Sequence, residues 1–292
     1  MKSRGAVRVT VADSSARKSP SSQTIQTIYR ELSQVWGPQH WWPAESPFEV
    51  IVGAILTQNT SWTNVERALA NLRAANAMSG DAIRTLPLSE LEQLVRPSGY
   101  FRQKAARLKG FVAFVDERYG GSLDAMLARP TAALREELLM QKGIGPETAD
   151  SILLYAGQHP VFVVDAYTRR VLQRHEAISD EASYDAVRES VESALHNEEL
   201  TRPATGRTSE TAPQAHQPSA MSMAARPILA QVYNEMHGLF VQLGKHYCLK
   251  TQPRCELCPL IAILPPPRIA ESPVTKRTQV RKTSGKSLEP RL

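Results

Sequence analysis

A carboxylate that follows four bulky apolar residues, as Asp165 follows Val161-Phe162-Val163-Val164, is placed half out of water by its own neighbours. The helical text Ala166-Tyr167-Thr168-Arg169-Arg170-Val171 comes next. Asp165 therefore reads in two ways, as the N-cap of that helix or as a carboxylate held for chemistry. Fifteen residues before it ends the run Gln141-Lys142-Gly143-Ile144-Gly145-Pro146-Glu147-Thr148-Ala149-Asp150. A Gly-x-Gly turn that opens a helix at Pro146 leaves backbone N–H groups without intrahelical partners, at the positive end of a helix dipole where a phosphate is favoured. Pro146 suits the first helical position, because the N–H it lacks would have had no partner. Leu138 and Leu139 before the turn, with Ile152 and Leu153 after it, let two short helices pack. The run is either a plain tight turn or a helix-turn-helix hairpin that grips a nucleic-acid backbone without reading its sequence.

All three cysteines form a second cluster, Cys248-x6-Cys255-x2-Cys258, with His246 just before it. Thiols grouped this way in a chain with no signal-peptide core point to metal rather than to disulfides.

The elements that must position these groups read as helices, with hardly any alternating strand pattern. Ser46-Pro47-Phe48-Glu49 is a capping box that starts a helix burying Phe48, Ile51, Val52 and Ile55. Val65, Ala68, Leu69 and Leu72 repeat at helical spacing, and Ser89 with Glu92 caps another helix. Leu108, Phe111, Val112 and Val115 stripe a helix that Gly120-Gly121 stops. Ile228, Val232, Tyr233, Met236 and Phe240 mark a later one that ends near Gly244. Residues 198–226 are rich in Thr, Ser, Pro and Ala and are expected to be a disordered insert, and 1–22 and 265–292 disordered basic tails.

At 292 residues and 42% apolar content the chain can bury one large core or two joined lobes. No apolar run is long enough to cross a bilayer, and a soluble intracellular protein is expected. The net charge of +6 suggests an anionic partner, but it is concentrated at the ends: +4 in residues 1–20 and +5 in 265–292, against −3 between them. Tail charge adds salt-sensitive affinity for DNA or is merely solvated, and does not by itself mark a binding face.

The hairpin, the apolar run and Asp165 together resemble the helix-hairpin-helix DNA glycosylases of the endonuclease III type. Trp41-Trp42-Pro43 with Pro47-Phe48-Glu49, Gly53-Ala54-Ile55-Leu56-Thr57-Gln58-Asn59-Thr60, and Arg96-Pro97-Ser98-Gly99-Tyr100 look most like the branch that removes alkylated bases such as 3-methyladenine. The resemblance covers about residues 25–260 apart from the insert. It implies an all-α, two-lobed domain over 23–264, with DNA and the target base at the groove between the lobes. One lobe would be the bundle 48–160 with its hairpin at 139–150. The other would join 23–47 to 161–264 and end in a C-terminal cysteine loop.

The implied reaction is base-excision repair: hydrolysis of the N-glycosidic bond of a damaged, alkylated base in double-stranded DNA, by a monomer on a bacterial nucleoid in the cytoplasm. Breaking that bond builds positive charge on the sugar, and a fixed carboxylate stabilises it and orients water. Asp165 is the candidate. This parallels the carboxylate's task in glycoside hydrolysis, with one acid in place of a pair. The base must leave the stack, and something must fill the hole it leaves. Gln58, beside Asn59, matches the family's wedge position; its plainer reading is a helix-end Gln bonded to backbone. Gly143, Ile144, Gly145, Glu147 and Thr148 would meet the DNA backbone. Trp62 and Tyr100 are the candidate base pocket, with Trp42 and Phe101 as further stacking candidates, since aromatic faces attract cationic alkylpurines. Aromatic residues at helical spacing also serve simply as core. Lys104 and Arg107, after the second turn, either touch the backbone or lie on a solvated helix face.

Glu147 separates two reaction classes. Bifunctional members of the family carry a lysine at the second residue after the Gly-x-Gly, and its amine forms a Schiff base that permits strand cleavage. A glutamate forms no imine, so a monofunctional enzyme is expected, with Lys142 on the opposite side of the turn. The cysteine loop departs from the pattern too. The family's iron–sulfur loop runs Cys-x6-Cys-x2-Cys-x5-Cys, and the fourth position here is Leu264, followed by Pro265-Pro266-Pro267. Three outcomes stay open: a [4Fe–4S] cluster on Cys248, Cys255 and Cys258, a zinc site of those thiols with His246, or an empty loop. Rival functions are a bifunctional glycosylase/AP lyase, a non-catalytic hairpin DNA-binding module, and a zinc-binding structural protein.

Overall fold

The computed structural model describes residues 20–196 and 216–266. The expected N-terminal tail lies outside the described residues up to residue 19, the C-terminal tail from residue 267, and the expected insert up to residue 215. Among the described residues the regular structure is helical throughout, with no strand.

The first lobe is built around α2 (Pro47–Leu56). Ser46 Oγ accepts the Glu49 N–H at 3.2 Å and Pro47 occupies the first turn, so the helix starts where the capping chemistry dictates. Every residue from Phe48 to Leu56 is buried, so the expected one-sided stripe is instead a helix enclosed on all sides. It packs against α3 (Trp62–Ala74), α6 (Phe101–Tyr119) and α9 (Pro146–Ser151), which runs straight into a wider π turn at Ile152–Ala156. The small helices α4 (Gly80–Thr85), α5 (Leu88–Leu94), α7 (Leu123–Leu127) and α8 (Thr131–Leu139) close this lobe. In α6 the stripe Leu108, Phe111, Val112 and Val115 is buried, and Gly120 ends the helix at φ 60°. Helix α5 starts at Leu88 with Pro87 at the cap, so Ser89 lies inside the first turn rather than capping it.

The second lobe takes in both ends of the described chain. Helix α1 (Pro20–Trp36) buries Ile25, Ile28 and Leu32 against α11 (Tyr184–Leu195) and α13 (Ile228–His246), and Gln26 Nε2 donates to Ala194 O at 2.6 Å. Helix α10 (Ala166–Arg174) crosses α13. At Gly238 of α13 a Cβ would lie 2.9 Å from Gln39 Cβ and 3.1 Å from Trp41 Cβ, so glycine there lets the segment carrying Trp41 and Trp42 pass directly over the helix.

The composition-based expectation of disorder over 198–226 is corrected from residue 216 onward. Residues 219–223 cap and form α12 (Ala220–Met223), Met221 is buried, and Met221 N–H donates to Ala44 O at 3.0 Å. Ala44 N–H in turn donates to Ser219 Oγ at 3.2 Å. Few large apolar groups are needed there because backbone donors and acceptors find partners across the contact.

Candidate active site and nucleic-acid interface

The hairpin turn joins α8 to α9. Gly143 takes φ 85°, a left-handed conformation that favours glycine, and an added Cβ would meet Arg107 Nε at 2.2 Å. Ile144 is buried, and its N–H is spent on Gln141 O at 3.1 Å. This corrects its place among the outward donors: Ile144 anchors the turn. Beneath the hairpin Asp150, 0% exposed, accepts from Arg135 Nε at 2.7 Å and Nη2 at 3.2 Å. Arg135 also reaches Asp185 on α11 at 2.9 Å, which ties the hairpin to the second lobe. Glu147 lies in the first turn of α9 and is exposed as a whole residue. Partial loss of water at its carboxyl end, and then the Asp165 carboxylate, push it up to about 7, with His237 opposing.

Gln58 comes off the end of α2 and meets this hairpin. Its Nε2 donates to Gly143 O at 3.0 Å and to Thr148 Oγ1 at 2.9 Å, and its Oε1 accepts from Arg107. The amide is thus bonded to backbone, as the plainer reading has it, but to the hairpin rather than to its own helix end. Asn59, exposed beside it, has φ 54°, a conformation Asn tolerates better than most residues. Lys104 is neither a backbone contact nor on a solvated face. It is 1% exposed, and its Nζ donates to Leu56 O at 2.8 Å and Ser98 O at 2.6 Å. Burial, and Arg107 nearby, lower its ammonium to about 8. It clamps the loop bearing Gln58 to the loop bearing Tyr100.

Asp165 caps α10, its Oδ1 accepting the Thr168 N–H at 2.7 Å, while its Oδ2 lies 3.5 Å from His237 Nε2. The N-cap reading holds, and the cap uses only one of the two carboxylate oxygens. Burial pushes the Asp165 carboxyl up, but His237 and the Thr168 N–H and hydroxyl outweigh it and leave it below the usual carboxylate range. The four apolar residues before it are buried in an extended run that lacks a sheet. Side chains of α11 supply its partners: Phe162 N–H donates to Glu192 Oε1 at 2.8 Å and Val164 N–H to Tyr184 Oη at 3.3 Å.

An aromatic wall stands beside Asp165. Trp42 meets Trp62 edge-on at 5.0 Å and Tyr155 at 5.0 Å, while Trp41 meets Trp62 at 6.4 Å. His237 joins it at 5.9 Å from Trp41 and 5.8 Å from Tyr155. Trp62 is fixed by its Nε1–H donating to Glu66 at 2.9 Å. Tyr100 is not part of this wall among the described residues: it is 65% exposed, at φ 46° on the turn before α6. Sequence reasoning missed Trp41, Tyr155 and His237 here. For His237 one signal was available, a polar residue on the apolar stripe of α13.

The cysteine loop packs against α10. Cys248, Cys255 and Cys258 line one small cavity with His175, Leu260 and Leu264, and His246 is not part of it. Burial pushes the Cys258 thiol up. Among the described residues no three His, Cys, Asp or Glu side chains converge on a metal ion, so the zinc set with His246 is not assembled. The donor set stops at three thiols with hydrocarbon at the fourth place, and it does not fit a four-thiolate cluster. Other bonds dock the loop. Arg170 Nε donates to Cys248 O at 2.6 Å and its Nη2 to Gly244 O at 3.2 Å; Arg174 Nη1 donates to Cys248 Sγ at 3.1 Å.

Residues 52–196 match the model of the HhH-GPD superfamily of base excision DNA repair proteins. The chain is similar to the putative DNA repair glycosylase MJ1434 of Methanocaldococcus jannaschii, 39% identical over 239 residues that span 82% of this chain and 94% of that one. It is also similar to the solved structure of the H. pylori 3-methyladenine DNA glycosylase MagIII bound to 1,N6-ethenoadenine. That match is 31% identical with a TM-score of 0.60 and covers 77% of this chain and 97% of the other. A non-covalent endonuclease III–DNA complex shares the fold at 20% identity, TM-score 0.61, over 83% of this chain and 94% of its own.

Proposed function

Because the chain belongs to the HhH-GPD superfamily of base excision DNA repair proteins and is a DNA glycosylase, we propose that it releases an alkylated base by hydrolysis and leaves the strand intact. What supports the reading is Glu147, in electrostatic range of Asp165, at the hairpin position where bifunctional relatives carry the Schiff-base lysine. Asp165, held ionised, faces the sugar of the extruded nucleotide and stabilises the positive charge that grows as the C–N bond breaks. Water then adds to the sugar carbon, the base keeps the electron pair of the broken bond, and the water's proton passes to Asp165 or to the departing base. Trp62, partly exposed and backed by the buried Trp42 and Tyr155, offers a ring to a flat and often cationic base, which favours alkylated purines. Gln58 exchanges its hairpin bonds for the gap in the duplex, and the hairpin at 143–148 carries the phosphates. All of these groups come from one chain, which acts as a monomer.

Base release from duplexes carrying an alkylated purine, uracil or an oxidised pyrimidine tests the reading, run with and without hot alkali beside the Asp165→Asn variant. The expected product appears from the alkylpurine duplex, only after alkali, and is absent with the variant. Release from another lesion, or an active variant, overturns it.

One observation favours a second reading. Lys245 on α13 has its ammonium pulled down by burial, with Glu66 and Asp165 opposing. An amine in electrostatic reach of Asp165 is the group that would form the imine if strand cleavage occurred without alkali. Borohydride trapping that is lost in Lys245→Ala would establish it.

A further inference from the structure

Each oxygen of Asp165 has its own keeper. The Thr168 N–H holds Oδ1 at 2.7 Å, a contact that every N-cap aspartate makes. Oδ2 faces His237 Nε2 at 3.5 Å, and this contact is peculiar to the chain's tertiary structure because it joins residues on α10 and α13. His237 is 4% exposed and enclosed by rings: Trp41 at 5.9 Å, Tyr155 at 5.8 Å and Phe162 at 6.4 Å. Neither Nδ1 nor Nε2 has a hydrogen-bond partner among the described residues, so the 3.5 Å approach to Asp165 Oδ2 is the polar contact this buried ring has.

We propose that His237 is a positioning residue for base release: its ring, 3.5 Å away, keeps Asp165 Oδ2 against the aromatic wall while the helix cap holds Oδ1. The inference rests on Asp165 being the catalytic carboxylate. It makes the geometry of that carboxylate independent of the DNA, since both keepers are in place in the free protein. The other ionisable groups in electrostatic range of Asp165 are Glu147 from α9, Tyr155 from the π turn, Tyr167 from α10 and Lys245 from α13. Of these, Glu147 bears on His237 as well. Because Asp165 acts ionised, activity falls as pH drops through its titration, and His237 beside it holds the Asp165 carboxyl down. Removing His237 moves the acid limb upward.

The test uses the full chain and a duplex with a single 1,N6-ethenoadenine, in single turnover from acid to alkaline pH. His237→Phe keeps a ring in the cage and removes the nitrogen that faces Asp165; His237→Gln keeps a polar group. Both are expected to slow base release on the order of 10- to 100-fold at neutral pH and to raise the acid limb. Binding to an abasic-site duplex should be unchanged. A His237→Phe protein with the wild-type rate and acid limb overturns the inference and leaves His237 a packing residue. A second measurement needs neither His237 variant nor substrate: the His237 imidazole resonances followed by NMR in labelled protein. Asp165→Asn, which keeps a capping side chain, should shift those resonances, and unmoved resonances overturn the pairing. An active Asp165→Asn defeats the proposed function itself; an inactive one beside an unaffected His237→Phe defeats this inference alone.

Discussion

Gln58 and Thr148, 90 residues apart in the chain, are joined by one hydrogen bond of 2.9 Å from Gln58 Nε2 to Thr148 Oγ1. The wedge candidate and the hairpin are therefore one unit before DNA arrives. Gln58→Ala is expected to weaken binding to an abasic-site duplex about tenfold, a loss near 1.4 kcal/mol. Intact-duplex binding and melting temperature should barely change, because the side chain is partly exposed. Thr148→Val leaves the Gly143 O contact in place and should cost less. Fluorescence anisotropy with the two duplexes reads both.

Asp150 and Arg135 form a buried pair beneath the hairpin. Arg135→Ala leaves the Asp150 carboxylate buried without its charge partner, which costs about 3–5 kcal/mol, whereas Asp150→Asn leaves Arg135 its bond to Asp185 and should cost less. At ~2–4 °C per kcal/mol for a domain of this size the melting temperature of Arg135→Ala should fall by roughly 10 °C. Calorimetry checks it, and a shift under about 2 °C would show that the pair is not a structural tie.

Glu147 gives the fold a pH dependence of definite sign. Its carboxyl is raised from 4.5 to about 7, so the folded state binds a proton that the unfolded state has released across that window. Stability contributed by protonated Glu147 is complete below the ordinary carboxylate range and is lost as pH rises through about 7. Relative to Glu147→Gln, the wild type should lose melting temperature on going from pH 4.5 to about 7. Parallel melting curves across that range read the difference.

Glu147→Lys puts an amine next to Asp165, in the position that forms the imine in bifunctional relatives of this fold. The variant should give a covalent protein–DNA species on borohydride treatment of a lesion duplex, and the wild type none. A trapped wild-type complex would move the assignment to Lys245.

Arg170 donates to two carbonyl groups, Cys248 O and Gly244 O, at the root of the cysteine loop. Arg170→Ala strands both acceptors, at about 1–3 kcal/mol. The melting temperature should drop by about 5 °C, and proteolysis should begin in the loop at 247–266. Base release by the surviving folded protein should be little altered.

Local chemistry was legible in the sequence because its causes lie within a few residues. Ser46 capping α2, Pro146 opening α9, Gly120 ending α6 and the burial of Val161–Val164 each follow from side chains at fixed short offsets from the backbone they serve. The same local rule showed that Glu147 puts a carboxyl on the hairpin and that Leu264 interrupts the thiol series. Partnerships were not legible. His237 sits 72 residues from Asp165, Arg174 sits 74 from Cys248, and Lys104 sits 48 from Leu56, and in each case the sequence signals burial or charge without saying what is met. Composition also misjudged 216–226, where backbone bonds to Ala44 replace the apolar mass that a sequence reader looks for. Spacing along the chain determines helices, caps and turns, because those interactions close within one turn. Which oxygen of Asp165 is held, and by what, is decided only when α10 and α13 cross, because that contact exists in space and nowhere along the chain.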